Sequence, residues 1–234
     1  MINEATLKTI LPVMHLLKKY HRHEIKHVEN VPKSGGALIL TNHSLATYDG
    51  LLLGLGIYLE TSRMPYGLAD TNLFTLPFLR DISPKINLVE ASHENAEKLL
   101  AQDELVCIAP GGMKEAIRSS EHRREIIWHK RTGFARLAVR TQSPIVLAAC
   151  PNADGIYDVK ANSITNFIYE NFKLPFVIPR GVGPTLIPRP VKLTHYLSEP
   201  LYPPKVDEND ESYLDELYDF HERVVKTMRE MMGG

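Results

Sequence analysis

ALILTNHSLATYDG, residues 37–50, opens on an apolar run of strand length and composition that delivers Asn42 and His43 into a polar turn. Asp49 follows within one short loop, and the apolar run 51–60 begins after Gly50. A histidine released at a strand end with a carboxylate close behind is a compact way to place a general base beside its orienting partner. A second segment has the same construction. LVCIAPGGMKEAI, residues 105–117, is an apolar strand opening onto a Gly-Gly turn and a helix.

Working outward from these two segments, strand-like and helix-like stretches alternate from Gly36 onward. The patterning predicts strands over 37–41, 66–69, 86–89, 105–109, 145–150 and 191–197. It predicts helices over 50–60, over 93–101 behind an N-cap at Ser92, over 113–119 and over 132–141. Such alternation implies an α/β fold, a single domain with a mixed, mostly parallel sheet flanked by helices. Open sheets of this kind hold their sites outside the carboxyl ends of the strands, where both His43 and Gly111-Gly112 fall.

The two ends of the chain read as amphipathic. Leu7, Ile10, Leu11, Met14 and Leu17 recur at helical spacing, so residues 1–27 are expected to form an N-terminal amphipathic helical segment ahead of a main domain over 28–234. Pro12 should kink that helix or start its second half. The apolar face either packs on the domain or lies in a membrane interface. From Ser212, Leu214, Leu217, His221, Val224, Val225 and Met228 share one face of a closing helix. Residues 162–179 are rich in aromatic and aliphatic residues and suit either a core segment or an interface-inserting one.

Composition narrows the function classes. At 234 residues with 44% hydrophobic and 24% charged residues, the chain has ample sequence for a core. A formal net charge of -1 argues against attraction of the whole protein to nucleic acid. Cys107 and Cys150 sit in apolar strand-like runs, as buried free thiols of a reducing compartment do. The N-terminus lacks a basic region followed by an apolar core, so no signal peptide is expected. No apolar run approaches the ~20 residues of a membrane span, so any membrane association is expected to be peripheral, on the inner, cytoplasmic face.

TNHSLATYD resembles the first motif of the lysophospholipid and glycerolipid acyltransferases, written N-H-x-x-x-x-D, and VENVPKSGG before it resembles that family's lead-in. APGGMKEAIRS is similar to the P-G-G-x-x-E-A form of the later motif, typical of the diacylglycerol acyltransferase branch and its small transmembrane-protein relatives. The segment IWHKRTGFARLAVRTQSPIVLAA continues the likeness, which runs from about Val28 to Leu201. The chain departs from the family in two places. The spacing from His43 to Asp49 is one residue longer, and Met113-Lys114-Glu115 stands where phosphate-binding members carry an arginine motif.

The resemblance implies a glycerol-3-phosphate acyltransferase-like fold and transfer of a fatty acyl group from a thioester donor to a lipid hydroxyl. His43 would take the hydroxyl proton, and Asp49 would fix the imidazole tautomer and stabilise the imidazolium. The oxyanion needs preorganised donors, and backbone amides at Gly111-Gly112 or at the helix start after them are candidates. Asn42, Arg80, Glu115 and Arg118 are the further substrate-binding candidates, with Glu115 positioning the acceptor. Ser44 reads as a turn or helix cap. The co-substrate would be acyl-coenzyme A or acyl carrier protein, with no cofactor and no metal. The acceptor would be a neutral hydroxyl lipid at a membrane surface. The competing reading is a catalytically silent lipid-binding or scaffold protein on the same fold.

Two further patterns compete for attention. His23-Glu24-Ile25-Lys26-His27 spells the zinc-hydrolase H-E-x-x-H, which requires both histidines on one helix face. Its charged flanks and nearby Pro32 suit a surface strand better. Lys114, Arg118, Arg123, Arg124, Lys130 and Arg131 gather around Trp128, diluted by Glu115, Glu121 and Glu125. They form either a mixed solvated surface or a cationic face for coenzyme A phosphates and anionic headgroups.

Overall fold

Strand β2 (Ala37–Thr41) is buried along its full length because it has a parallel neighbour on each side and helices on both faces. A computed structural model of the protein describes residues 4–45, 48–75, 83–129, 131–160 and 179–233. Beside β2 lie β5 (Leu105–Ile108), in register at Leu38↔Val106, and β6 (Ile145–Ala149), in register at Leu38↔Ile145. The remaining strands of this sheet are β1 (Glu24–Lys26), β3 (Tyr66–Ala69), β4 (Leu88–Glu90) and β9 (Thr194–Leu197). The order is β1-β9-β6-β2-β5-β3-β4, with every pairing parallel except β6 with β9. This is the mixed, mostly parallel α/β sheet that the alternation implied. A separate antiparallel pair joins β7 (Asp158–Val159) to β8 (Pro179–Arg180).

The two-residue period of β2 sorts its side chains onto two cores. Leu38 and Leu40 face helices α3 (His93–Ala101), α5 (Gly133–Thr141) and α6 (Tyr213–Met231), meeting Leu100, Phe134, Leu137, Phe220 and Val224. Ala37 and Ile39 face α2 (Tyr48–Thr61) and meet Leu53 and Ile57. Beyond α2 lies α1 (Glu4–Tyr20), which buries Met14 and leans Ile10, Leu11 and Leu17 against Leu52 and Leu55. The N-terminal helix thus packs on the fold with its apolar stripe. It runs through Pro12 as one element, giving up one helical hydrogen bond there.

Boundaries move by a few residues from those expected. The strand expected over 86–89 begins at Leu88, because Ser83–Ile86 forms a 3-10 turn and Asn87 takes a left-handed φ of 54°. The helix expected over 113–119 is the short α4 (Gly112–Ala116). Ser92 caps α3 as expected, its hydroxyl accepting the Asn95 amide at 3.1 Å. Both cysteines are free, and burial pushes the Cys107 thiol up to about 12. The aromatic segment over 162–179 lies, apart from Pro179, outside the described residues. Among the described residues, no helix is long and apolar enough to cross a membrane.

Candidate active site

His43 leaves the carboxyl end of β2, and the Gly-Gly turn leaves the carboxyl end of neighbouring β5. Parallel register therefore sets the two motifs side by side although they are far apart in sequence. Glu115, on α4, joins them. Its Oε1 accepts the His43 backbone N–H at 2.8 Å, and its Oε2 accepts the Ile127 N–H at 2.9 Å. The side chain is fully buried, and burial raises its carboxyl above the usual range, while the two amide bonds and the Arg118 charge act against the rise.

Arg118 completes the clamp. Its Nη1 donates to the carbonyls of His43 and Glu115, each at 2.9 Å, and its Nη2 pairs with the Asp154 carboxylate. Asn42 acts similarly across the sheet: its Oδ1 accepts the Cys150 N–H at 2.8 Å and its Nδ2 donates to the Cys150 carbonyl at 3.3 Å. Glu115 and Asn42 thus bond backbone groups, Arg118 bonds two carbonyls and the Asp154 carboxylate, and all three side chains are buried. Arg80 lies outside the described residues.

His43 and Asp49 both meet Ser44. His43 Nδ1 lies 2.9 Å from the Ser44 carbonyl, and the Ser44 hydroxyl donates to Asp49 Oδ1 at 2.7 Å. A carbonyl only accepts, so this contact assigns the proton to Nδ1 and leaves the Nε2 lone pair as the basic site. The imidazole and the Asp49 carboxylate thus bond two separate groups of Ser44, its carbonyl and its hydroxyl, and Asp49 is linked to the ring by charge rather than by a chain of hydrogen bonds. Burial raises the Asp49 carboxyl, against the opposing effects of the Ser44 bond and the nearby His43. His43 is partly exposed, whereas Asn42, Ser44 and Asp49 are each only 2% exposed.

The Gly-Gly turn is built tightly. Gly111 has no room for a side chain: a Cβ would sit 2.1 Å from Glu115 Oε2. Gly112 has a φ of 54°, the left-handed region that favours glycine. Its N–H closes the turn on the Ala109 carbonyl at 3.1 Å, so the Gly111 amide and the amides at the start of α4 are the candidate oxyanion donors. A right-handed residue followed by a left-handed one turns successive amides toward one side, a concavity suited to anions. Arg131 steadies the turn from outside, its Nη1 donating to the Pro110 and Gly111 carbonyls at 2.8 Å each.

Beside the turn, at the carboxyl ends of β3 and β5, opens a cleft of about 240 Å³. Leu68, Ala96, Ile108, Phe134 and Leu137 line it, with His93 and Arg131 contributing polar groups.

Of the basic run Arg118 is buried, whereas Lys114, Arg123, Arg124 and Arg131 are exposed. Arg118 and Arg123 pair with Asp154 and Asp158, Arg131 holds the turn, and Trp128 is fully buried. Lys130 lies outside the described residues. The H-E-x-x-H segment is strand, not helix. His23 is buried against His195, while His27 is exposed at a left-handed turn.

Ser44, expected as a turn or helix cap, bonds the Asp49 carboxylate, and Asp154 was not singled out in the sequence. Nothing local marks Asp154, whose partner Arg118 is 36 residues away. A short hydroxyl just after the histidine was the one available sign for Ser44.

Known proteins share the sequence pattern and the fold of this chain. The chain is 28% identical over 212 residues to a Bos taurus protein named "DGAT1/2-independent enzyme synthesizing storage lipids", covering 88% of this chain and 61% of that protein. The Homo sapiens protein of that name is 27% identical over 212 residues, with 88% and 63% covered. An uncharacterized protein of Mycobacterium tuberculosis is 28% identical over 244 residues, with 99% and 67% covered. The chain spans about three fifths of the length of the two mammalian relatives, at 61% and 63%. The crystal structure of the 1-acyl-sn-glycerophosphate acyltransferase PlsC from Thermotoga maritima shares the fold, with a TM-score of 0.55 at 17% identity, covering 99% of this chain and 83% of that one. The family model described as Acyltransferase matches residues 22–150, the span that holds His43, Asp49 and the Gly-Gly turn, and the chain belongs to that family.

Proposed function

We propose that the chain is an O-acyltransferase that moves a fatty acyl group from a thioester donor to a hydroxyl of a glycerolipid-type acceptor at a membrane surface. The observation that carries this reading is the Glu115 clamp, which seats His43 beside the Gly-Gly turn at the carboxyl edge of the sheet. His43 Nε2 takes the proton from the acceptor hydroxyl as its oxygen attacks the thioester carbonyl. The charge that develops on the carbonyl oxygen meets the Gly111 amide or the amides at the start of α4, and collapse of the tetrahedral species expels the thiolate. The imidazolium formed in the first step returns its proton to that thiolate, so no acyl-enzyme is required. Asp49 stabilises the imidazolium through its field.

The apolar cleft beside Pro110 suits the acyl chain of the donor, with its polar rim toward the thioester side. Acyl-coenzyme A and acyl carrier protein both fit this scheme. No arginine motif follows the Gly-Gly turn; Arg118 is committed to His43, Glu115 and Asp154, and Arg131 to the Pro110 and Gly111 carbonyls, which favours a neutral acceptor such as a mono- or diacylglycerol.

The deciding experiment incubates the protein with labelled acyl-coenzyme A and a panel of neutral and phosphorylated hydroxyl lipids, then identifies new esters by mass. General-base help is commonly worth ~100- to 10,000-fold, so His43→Ala should nearly abolish ester formation while remaining folded. Full activity in that variant overturns the assignment. Lipid binding without turnover across several thioesters would favour the scaffold reading.

A further inference from the structure

We infer that the loop over 181–187, together with the outer face of α1, is a docking surface for an anionic lipid bilayer; this rests on the membrane-surface acyl transfer proposed above and names the element that makes the contact. Leu186 is 67% exposed, Ile187 59% and Val182 46%, on a loop whose backbone is held in shape. The Gly181 N–H bonds the Thr185 carbonyl at 2.7 Å and the Val182 N–H bonds the Ile187 carbonyl at 2.8 Å. The Arg189 Nε donates to the Gly181 carbonyl and the Tyr157 hydroxyl to the Leu186 carbonyl. A loop braced in this way presents three aliphatic side chains to solvent by construction, which calls for something to cover them.

The end of α1 is fastened to the same loop. The Tyr20 hydroxyl donates to the Pro188 carbonyl at 2.6 Å, and Arg22 reaches the Pro190 carbonyl. Further along α1, Val13 and Leu16 are exposed at 57% and 67%. The helix therefore buries one apolar stripe and shows a second.

Charge selects the occupant. Residues 4–22 contain Lys18, Lys19 and Arg22 toward the loop end of α1, with Glu4 and Lys8 at its far end, and residues 180–193 contain Arg180, Arg189 and Lys192 and no carboxylate. The rest of the chain must carry the compensating excess, because the net charge is -1. Arg189 and Lys192 are partly neutralised by Asp158 and Glu24. Exposed aliphatic tips between cations match the headgroup region of an anionic bilayer. A second copy of the chain is the poorer fit, because an isologous contact would set these cations against themselves.

The surface also adjoins the site. His21, between Tyr20 and Arg22, bonds the Tyr48 hydroxyl at 2.8 Å, and Tyr48 precedes Asp49 on α2. A bilayer held by α1 and this loop therefore lies next to the helix that carries the acidic residue.

The test uses the whole chain and vesicles of phosphatidylcholine with or without phosphatidylglycerol. Wild type should float with the anionic vesicles and be released by salt, and Leu186→Asp with Ile187→Asp should weaken partitioning roughly tenfold or more. In Leu186→Trp the new indole should shift to the blue when anionic vesicles are added, since Trp128, the one native tryptophan, is buried. That readout serves even where the aspartate variant folds poorly. Unchanged partitioning of the aspartate variant, an unshifted indole, or absence of wild-type binding overturns the proposal. So does a wild-type dimer that the aspartate variant dissociates with vesicle binding intact. His43→Ala should bind vesicles as wild type does, so failure of docking and failure of the acyl-transfer reading remain distinguishable.

Discussion

Glu115 Oε1 accepts the backbone N–H of His43 at 2.8 Å across 72 residues of sequence, so an acidic side chain in one motif fixes the main chain of the other. A carboxylate has two acceptor oxygens, and both are used here, on His43 and on Ile127.

Glu115→Gln keeps the shape but puts an amide donor against one of those N–H groups. Leaving a buried donor without an acceptor costs about 1–3 kcal/mol, so the melting temperature should fall. Turnover should drop through kcat, with the acceptor KM nearly unchanged. A rise confined to KM would return Glu115 to direct acceptor binding.

Replacing the two glycines separates crowding from backbone strain. In Gly111→Ala the new methyl meets Glu115 Oε2 at 2.1 Å, a contact that only a shift of the clamp relieves. In Gly112→Ala the methyl meets the flexible tip of Arg131 at 2.8 Å, and the left-handed φ adds about 1–2 kcal/mol. Gly111→Ala should lose more activity than Gly112→Ala at similar thermal stability, measured by initial rates beside melting curves. The reverse order would show that the clamp is not the sensitive part.

Ser44→Ala removes the hydroxyl on Asp49 but keeps the carbonyl that holds His43 Nδ1. Its effect on kcat should be roughly 5- to 100-fold, matching a lost bond of about 1–3 kcal/mol to a buried carboxylate. This is smaller than the loss in His43→Ala. Equal losses in both would mean that Ser44 itself reacts, which a trapped acyl-serine would reveal by mass.

A pH effect follows from the far side of the sheet. His23 Nε2 and His195 Nδ1 share a hydrogen bond at 2.9 Å, and burial lowers His23 from 6.5 to about 4 and His195 from 6.5 to about 3. Lys18 and His21 also depress His23, against Glu24. Between these values and 6.5 the unfolded chain binds more protons than the folded one, so stability falls as pH drops through that window. Each histidine contributes a slope of up to about 1.4 kcal/mol per pH unit. Asp49 and Glu115, whose carboxyls are raised, act in the opposite direction. Comparing melting temperatures of wild type and His195→Asn from neutral to acid pH isolates the pair: the variant should show the shallower acid decline. Parallel curves would count against the shared bond.

The local signals in the chain settled a good deal. An all-apolar run ending in Asn-His marked β2 and its exit, and a second run ending in Pro-Gly-Gly marked β5, because strand length, apolar continuity and glycine turns are properties of neighbouring residues. Two parallel strands with carboxyl ends at one edge then placed the site. Partners were another matter. Asn42 meets Cys150 at 108 residues' separation, His23 meets His195 at 172, and Glu115 meets His43 at 72. Their polar groups looked outward-facing in the sequence and are satisfied inward, because a buried amide or carbonyl must find a partner wherever the sheet order brings one. The residues of the candidate site were thus written in two short motifs, while which distant backbone groups their side chains bond was decided only when β2, β5 and β6 came together.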